Sequence, residues 1–316
     1  MAPLLGGMIG LLALFRLWVP GFLAKDNMLD LAQQISVNAI IAFGMTLTIL
    51  IGGIDLSVGA LLALVGTTAV YVISQAAPEA QNIGVLALAL GAGSGVAALC
   101  GLLNGWCAAR TPIPPFIITL ATMLMARGTA LRFNEGRPMH VPETQTMFLA
   151  LGNSRIYLSG EVQIPAPVLV MLAAFAFTGI LLHKTRYGRH LFAIGGNREA
   201  ARLSGLPLFA CEVSVYLICS VLAGIAGLIH ASQLYSAEPS AGTGFELNAI
   251  AAVVVGGTSF TGGIGSMHGT LIGAIIIGIL DKGLNQAGVH FSLQYVMKGL
   301  VILGAVYMDV RRRRRA

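Results

Sequence analysis

Charge is scarce in this chain. Asp, Glu, Lys and Arg make up 10% of its 316 residues, against 56% hydrophobic residues and a mean hydropathy of +0.82. Too little polar surface exists to cover a water-soluble globule, so a soluble domain is excluded and a polytopic helical membrane protein is indicated. Cysteine is also sparse: the four, Cys100, Cys107, Cys211 and Cys219, lie in or beside apolar runs. They read as small packing residues, not as a disulfide frame or a zinc site. No Gly-Lys dipeptide occurs, hence no Walker A phosphate loop, and H-E-x-x-H and G-x-S-x-G are missing too. The six histidines are scattered without ligand spacing. Asp55 and Asp281 lack the G-x-G-D pattern of an intramembrane aspartyl pair. Catalysis, a cofactor and a metal are therefore not expected of this chain. No cleavable leader is evident, and the first apolar run serves as its own insertion signal.

What is present is a series of apolar runs, at residues 4–19, 28–51, 52–74, 83–107, 116–133, 166–182, 208–232, 247–261, 269–288 and 293–308. They predict an all-α polytopic fold of about ten transmembrane segments, with an internal repeat and glycine-broken helices. The first run is short and holds Arg16, so it needs snorkelling to cross the roughly 30 Å core. In the fourth, Gly91 with Gly95 and Gly101 with Gly105 form small-xxx-small pairs for close helix approach. A loop with Pro78 and Glu79 precedes it, and the longest polar stretch is 134–165.

Basic residues concentrate in one interior segment, 184–206, which holds Lys184, Arg186, Arg189, Arg198 and Arg202, and in the tail 311–316, which holds Arg311 to Arg315. The positive-inside rule puts both in the cytoplasm, and with an even number of runs on each side of the segment both termini follow. The net charge of +6 thus reports topology, with the tail meeting anionic lipid and not nucleic acid. Within the segment, Asn197 N-caps a short helix through Glu199, Ala200, Ala201 and Arg202, with Gly205 as its stop and Glu199 and Arg202 on one face. That helix has two readings: a grip for a partner protein, or a helix resting on lipid headgroups.

The chain also repeats itself. With a shift of 210, Asn38, Ala39, Ile40, Ala42, Thr48, Gly52, Gly53, Ile54, Gly59 and Leu61 meet identical residues from Asn248 to Leu271, ten identities in 24 positions. Segments 38–61 and 248–271 are parallel copies by the count of runs, inverted if one run crosses incompletely. Repeats interrupted by glycine at matching positions point to a transport pathway at their interface. In the first copy, GGIDLSVG (52–59) reads as a helix break and a fresh start. Asp55 is either the cap of the new helix or a pathway group facing a wet interior. Asp55, Ser57, Asn104, Thr119, Asn248 and Thr258 are the candidate pathway residues for a hydroxylated solute; the plainer reading of Asn104, Thr119, Asn248 and Thr258 is interhelical hydrogen bonding. Asp281 pairs with Lys282 or Lys298, whose ammonium groups snorkel.

Four motifs in series, GMTLTILIGGIDLSVGALLAL, GLLNGW with PPFIITLATMLMARG, TRYGRHLFAIGGNREAARLSGL, and GTGFELNAIAAVVVGGTSFTGGIGSMHGTLIGA, together resemble the membrane permease subunit of bacterial ABC importers for monosaccharides, the ribose-type family. The resemblance spans nearly the whole chain. It implies a single permease domain over 1–316 in the bacterial inner membrane, dimeric with a second copy or a paralogue, fed by a periplasmic sugar-binding protein and driven by a cytoplasmic ATPase. It makes 184–206 the coupling element, with Gly188, Arg189, Gly195, Asn197, Glu199, Ala200, Ala201 and Gly205 at matched positions and Arg202 beside them. Members of that family carry a basic stretch before the first span, whereas this chain opens with MAPLL, through a misplaced start or a trimmed end. The rival readings are an ion-coupled secondary carrier working through Asp55 or Asp281, and an ABC permease for branched-chain amino acids or nucleosides.

Overall fold

The structure is a computed structural model that describes residues 2–76, 82–159 and 162–313; the Pro78–Glu79 loop and the last three residues of the basic tail lie outside them. Helix α1 (Ala2–Trp18) leads into α2 (Lys25–Leu50), α3 (Val58–Ala76), α4 (Ile83–Arg110) and α5 (Pro115–Arg132). The polar stretch then supplies β1 (Met139–His140), α6 (Thr146–Asn153) and the hairpin β2 (Arg155–Ser159) with β3 (Val162–Pro165). After α7 (Ala166–Lys184), the basic segment forms α8 (Arg186–Gly196) and α9 (Arg198–Leu203). The chain closes with α10 (Leu208–Gln233), β4 (Ser236–Ala237), α11 (Phe245–Val255), α12 (Met267–Gln286) and α13 (Phe291–Arg313), with β4 antiparallel to β1.

Among the described residues six helices are long and apolar enough to cross a membrane: α2, α3, α4, α7, α10 and α12. The chain is a multi-pass membrane protein. The predicted run 247–261 is only partly helical. Gly256 and Gly257, the latter at φ +88°, end α11 after 11 residues, with Thr258 N–H donating back to the Val253 carbonyl at 3.1 Å. At 1.5 Å per residue such a helix reaches about 16 Å, roughly half the hydrocarbon core. Helix α2 ends in the same manner: Gly52, at φ +81°, leaves Gly53 N–H to bond the Thr48 carbonyl at 2.9 Å. Glycine suits both positions because a Cβ disfavours the left-handed region.

Helix α10 is the central post, touched by α2, α3, α4 and α6. Glycines set how closely its neighbours approach: Gly101 and Gly105 of α4 lie against the α10 backbone at Leu217 and Val213, and Gly227 of α10 lies on Leu62 of α3. Backbones this close gain dispersion contacts that lipid cannot match. Gly91 and Gly95, the other predicted small pair, face open space, and Gly93 does the packing, against Val65. Their shared face on α4 points away from α10. Helices α2 and α12 run antiparallel, pinned at one end by Asn27 and Gln286 (2.5 and 3.2 Å) and near the other by the Thr46 and Thr270 hydroxyls at 2.7 Å. The end of α2 and the start of α12 therefore lie side by side, and α8 and α9 sit at that same end.

Candidate functional site

Segment 184–206 holds two helices where one was expected. Thr185 caps α8, its hydroxyl oxygen accepting from Gly188 N–H at 3.3 Å. Gly188, Leu191 and Ile194 are the buried residues of α8, spaced three apart on one face. Asn197 then caps α9 as predicted, its Oδ1 accepting from Ala200 N–H at 2.9 Å. Gly205, at φ +75°, closes α9, with Leu206 N–H reaching the Ala201 carbonyl at 3.2 Å. Glu199 and Arg202 pair at 2.5 Å on the outer face, each about two-thirds exposed. Ala201 is buried, and Ala200 and Arg189 are exposed. The basic segment thus has an inner face packed on the bundle and an outer face of charge.

What the inner face packs on is specific. A Cβ added at Gly195 would overlap the Leu50 carbonyl oxygen, at the end of α2, and press on the Gly263 nitrogen, in the loop before α12. The two loops are themselves bonded, Gly263 N–H donating to the Leu50 carbonyl at 2.9 Å. Gly262 lies against Leu50, Gly195 and Gly52, and Gly263 against Gly196. Glycines from three distant stretches, Gly52, Gly195 with Gly196, and Gly262 with Gly263, share one junction.

Two side-chain ties hold the segment to α10. Arg198 forms an ion pair with Glu212, whose carboxylate is buried. The Tyr187 and Ser214 hydroxyls lie 2.8 Å apart, and burial pushes the Tyr187 phenol up to about 12, so it stays protonated. Glu212, Tyr187 and Ser214 were missed by sequence reasoning. The signal that could have found Glu212 was an acid in the first turns of an apolar helix, close to a cluster of arginines.

Four of the six candidate pathway residues come together at the first break. Asp55 Oδ1 accepts from Ser57 N–H (2.9 Å) and from Ser57 Oγ (2.5 Å). Asn104 Nδ2 donates to Ser57 Oγ at 3.2 Å, and Thr122 Oγ1 donates to Asn104 Oδ1 at 2.5 Å. Thr119 bridges the unwound backbone, accepting from Leu56 N–H at 3.1 Å and donating to the Ile54 carbonyl at 3.2 Å. Asp55, Ser57 and Thr119 are 0% exposed and Asn104 1%. The plainer reading thus fits Asn104 and Thr119, which tie α4 and α5 to the break. Asp55 is not the N-cap residue: α3 starts at Val58, Ser57 occupies the cap position, and Asp55 closes the turn before it.

The other two lie elsewhere. Thr258 is buried in the second break, its hydroxyl without a partner, and Asn248 lines a cavity with Gln34, Asn38 and Asp281. Asp281 pairs with Lys298 at 3.0 Å, and not with Lys282. Asp55 and Asp281 therefore occupy separate sites.

Known proteins match nearly the whole of this chain. Residues 27–306 match the family described as branched-chain amino acid transport system / permease component. The chain is 42% identical to the ribose import permease RbsC of Escherichia coli K12 over 301 residues, 95% of this chain and 90% of that one. With the ribose import permease RbsC of Bacillus subtilis the identity is 44% over 310 residues, 98% of this chain and 92% of its relative. The L-arabinose transport system permease AraH of Escherichia coli K12 is 36% identical over 293 residues, 93% of this chain and 85% of that one. No solved structure matches. The bundle, its two glycine-ended breaks and these relatives agree: the chain belongs to the permease-component family of these transport systems, in the group that holds the ribose import permeases.

Proposed function

We propose that this protein is the transmembrane permease subunit of an ATP-driven importer for a monosaccharide, a ribose-like pentose first. Relatives named for ribose import and L-arabinose transport, at 36–44% identity over nearly the full chain, support the substrate class. They do not favour an ion-coupled carrier. In this reading a periplasmic binding protein delivers the sugar, and a separate ATPase supplies the hydrolysis. A second copy or a paralogue completes the pathway in the bilayer. The chain then crosses ten times with both termini and segment 184–206 in the cytoplasm, α11 and the loop that follows it making one crossing together, and the repeat is parallel, since α2 and α11 both run antiparallel to α12.

The observation that carries the mechanism is the glycine junction. Helices α8 and α9 couple the ATPase to the pathway: force on the charged outer face, at Arg189, Glu199 and Arg202, passes through Gly195 to Leu50 and Gly263 together. Both helix breaks then move as one, which alternating access between two packed arrangements requires. Gly188, Asn197, Ala200, Ala201 and Gly205 shape the pair, while Asp55, Ser57, Asn104 and Thr119 fix the first break. The test is gentle purification of the tagged protein from its membrane. A stoichiometric ATPase with two nucleotide-binding modules, released when Glu199 and Arg202 are reversed in charge, is the expected result. A protein that purifies alone and carries sugar in liposomes under an ion gradient without ATP overturns the reading.

A further inference from the structure

The repeat brings two equivalent residues to one place. Asn38 on α2 and Asn248 on α11 are related by the 210-residue shift, and both line the same narrow cavity of about 80 Å³. Gln34 and Phe245 line it too, and both also border a wider cavity of about 450 Å³, so mouth and throat share a wall. The mouth adds Gln233 and His230, whose ring lies 5.6 Å from that of Phe245. This recess is on the half of the bundle away from segment 184–206, a few residues along α2 from the Asn27 and Gln286 bonds.

The chemistry of the lining is narrow. Five carboxamides, Gln33, Gln34, Asn38, Gln233 and Asn248, are among its polar groups, each offering both a donor and an acceptor, and the Asn38 Oδ1 and Gln233 Nε2 atoms are buried without a partner. Buried polar atoms left unpaired cost free energy unless a ligand or water meets them. A sugar hydroxyl also donates and accepts, so a polyol matches such a wall on every side. The one acid of the throat, Asp281, is neutralised by Lys298 at 3.0 Å. The throat thus has its one carboxylate paired, the mouth also carries Lys282 and Asp30, the latter paired with Arg155 at 3.7 Å, and the Phe245 ring offers a flat apolar surface for the C–H face of a sugar ring. The mouth has the volume of an ordinary small-ligand site.

We propose that this recess is a monosaccharide-binding subsite within each permease chain, in which Gln34, Asn38, Gln233 and Asn248 hydrogen-bond the sugar hydroxyls and Phe245 supports the ring. The subsite rests on the monosaccharide reading given above. It gives the permease a selectivity step of its own, at the interface of its two repeats.

The test uses the complete transporter, with its ATPase and binding protein, in proteoliposomes with D-ribose and L-arabinose as probes. The unsubstituted transporter checks the monosaccharide reading by itself, and failure to carry either sugar would remove that reading and the subsite together. With uptake established, Asn38→Leu and Asn248→Leu are expected to lower it at least tenfold while stimulated ATPase turnover stays within twofold. Uptake within twofold of normal in both variants overturns the subsite. Because leucine could disturb assembly, Asn248→Cys supplies a second measurement, the rate at which a small charged thiol reagent modifies position 248. A rate at least fivefold slower with sugar-loaded than with sugar-free binding protein supports the site, and equal rates overturn it.

Discussion

Gly263 donates its main-chain N–H to the carbonyl oxygen of Leu50 at 2.9 Å, across more than two hundred residues of sequence. The bond joins two helix breaks that the repeat makes equivalent, and Gly195 seals it from outside. A helix end normally leaves carbonyls unsatisfied, so one break supplying the donor for the other removes a cost and couples the two.

Gly195→Ala puts a methyl group into the Leu50 carbonyl, whereas Gly196→Ala meets open space. Overpacking of this kind costs about 1–3 kcal/mol. Gly195→Ala is expected to cut ATP-driven uptake at least tenfold and to lower the melting temperature, with Gly196→Ala near normal. Equal uptake in the two variants refutes the junction's role.

Reversing both charges of the Glu199 and Arg202 pair leaves stability almost unchanged, because exposed pairs contribute about 0–1 kcal/mol. Binding to the ATPase is expected to fall. Glu212→Ala should do the opposite: Arg198 is about half exposed and resolvates, so about 1 kcal/mol of docking is lost while the outer face stays intact. Thermal unfolding beside ATPase pull-down separates the two, and identical behaviour of both variants would contradict the division into inner and outer faces.

Asp55→Ala removes the acceptor of two buried Ser57 donors and is expected to cost about 1–3 kcal/mol, with matching loss of uptake. Asp55→Asn keeps an oxygen in that place and should retain most activity. Equal loss in the alanine and asparagine variants would show that the charge, and not the turn, is needed.

Arg127 on α5 donates through Nη1 to the Pro239 and Ala241 carbonyls, at 2.5 and 2.7 Å, and so holds the loop that leads into α11. Arg127→Ala is expected to raise amide hydrogen exchange across residues 238–244 at least tenfold, while exchange in α10 is unchanged. Unaltered exchange in that loop would remove the clamp.

Much of this was legible in the chain itself. The Asn197 cap and the Gly205 stop were read correctly because both act within one helical turn, where side-chain chemistry dictates geometry. Helix α8 was not, since Gly188, Gly195 and Gly196 lower its intrinsic propensity and burial against the bundle supports it instead. The short span of α11 was missed because hydropathy does not register where a glycine takes a positive φ.

Sequence by itself determined the class: scarce charge, long apolar runs and a repeat at 210 residues specify a multi-pass bundle with two broken helices, because the cost of burying polar groups in lipid is a property of composition. Only the tertiary structure decided what meets what. It placed Gly195 on Leu50 and Gly263, gathered Asp55, Ser57, Asn104 and Thr119 at one break, and set Asn248 opposite Asn38 in another place. Those contacts join residues tens to hundreds of positions apart, and they follow from how closely glycine lets helices approach, which no local pattern records.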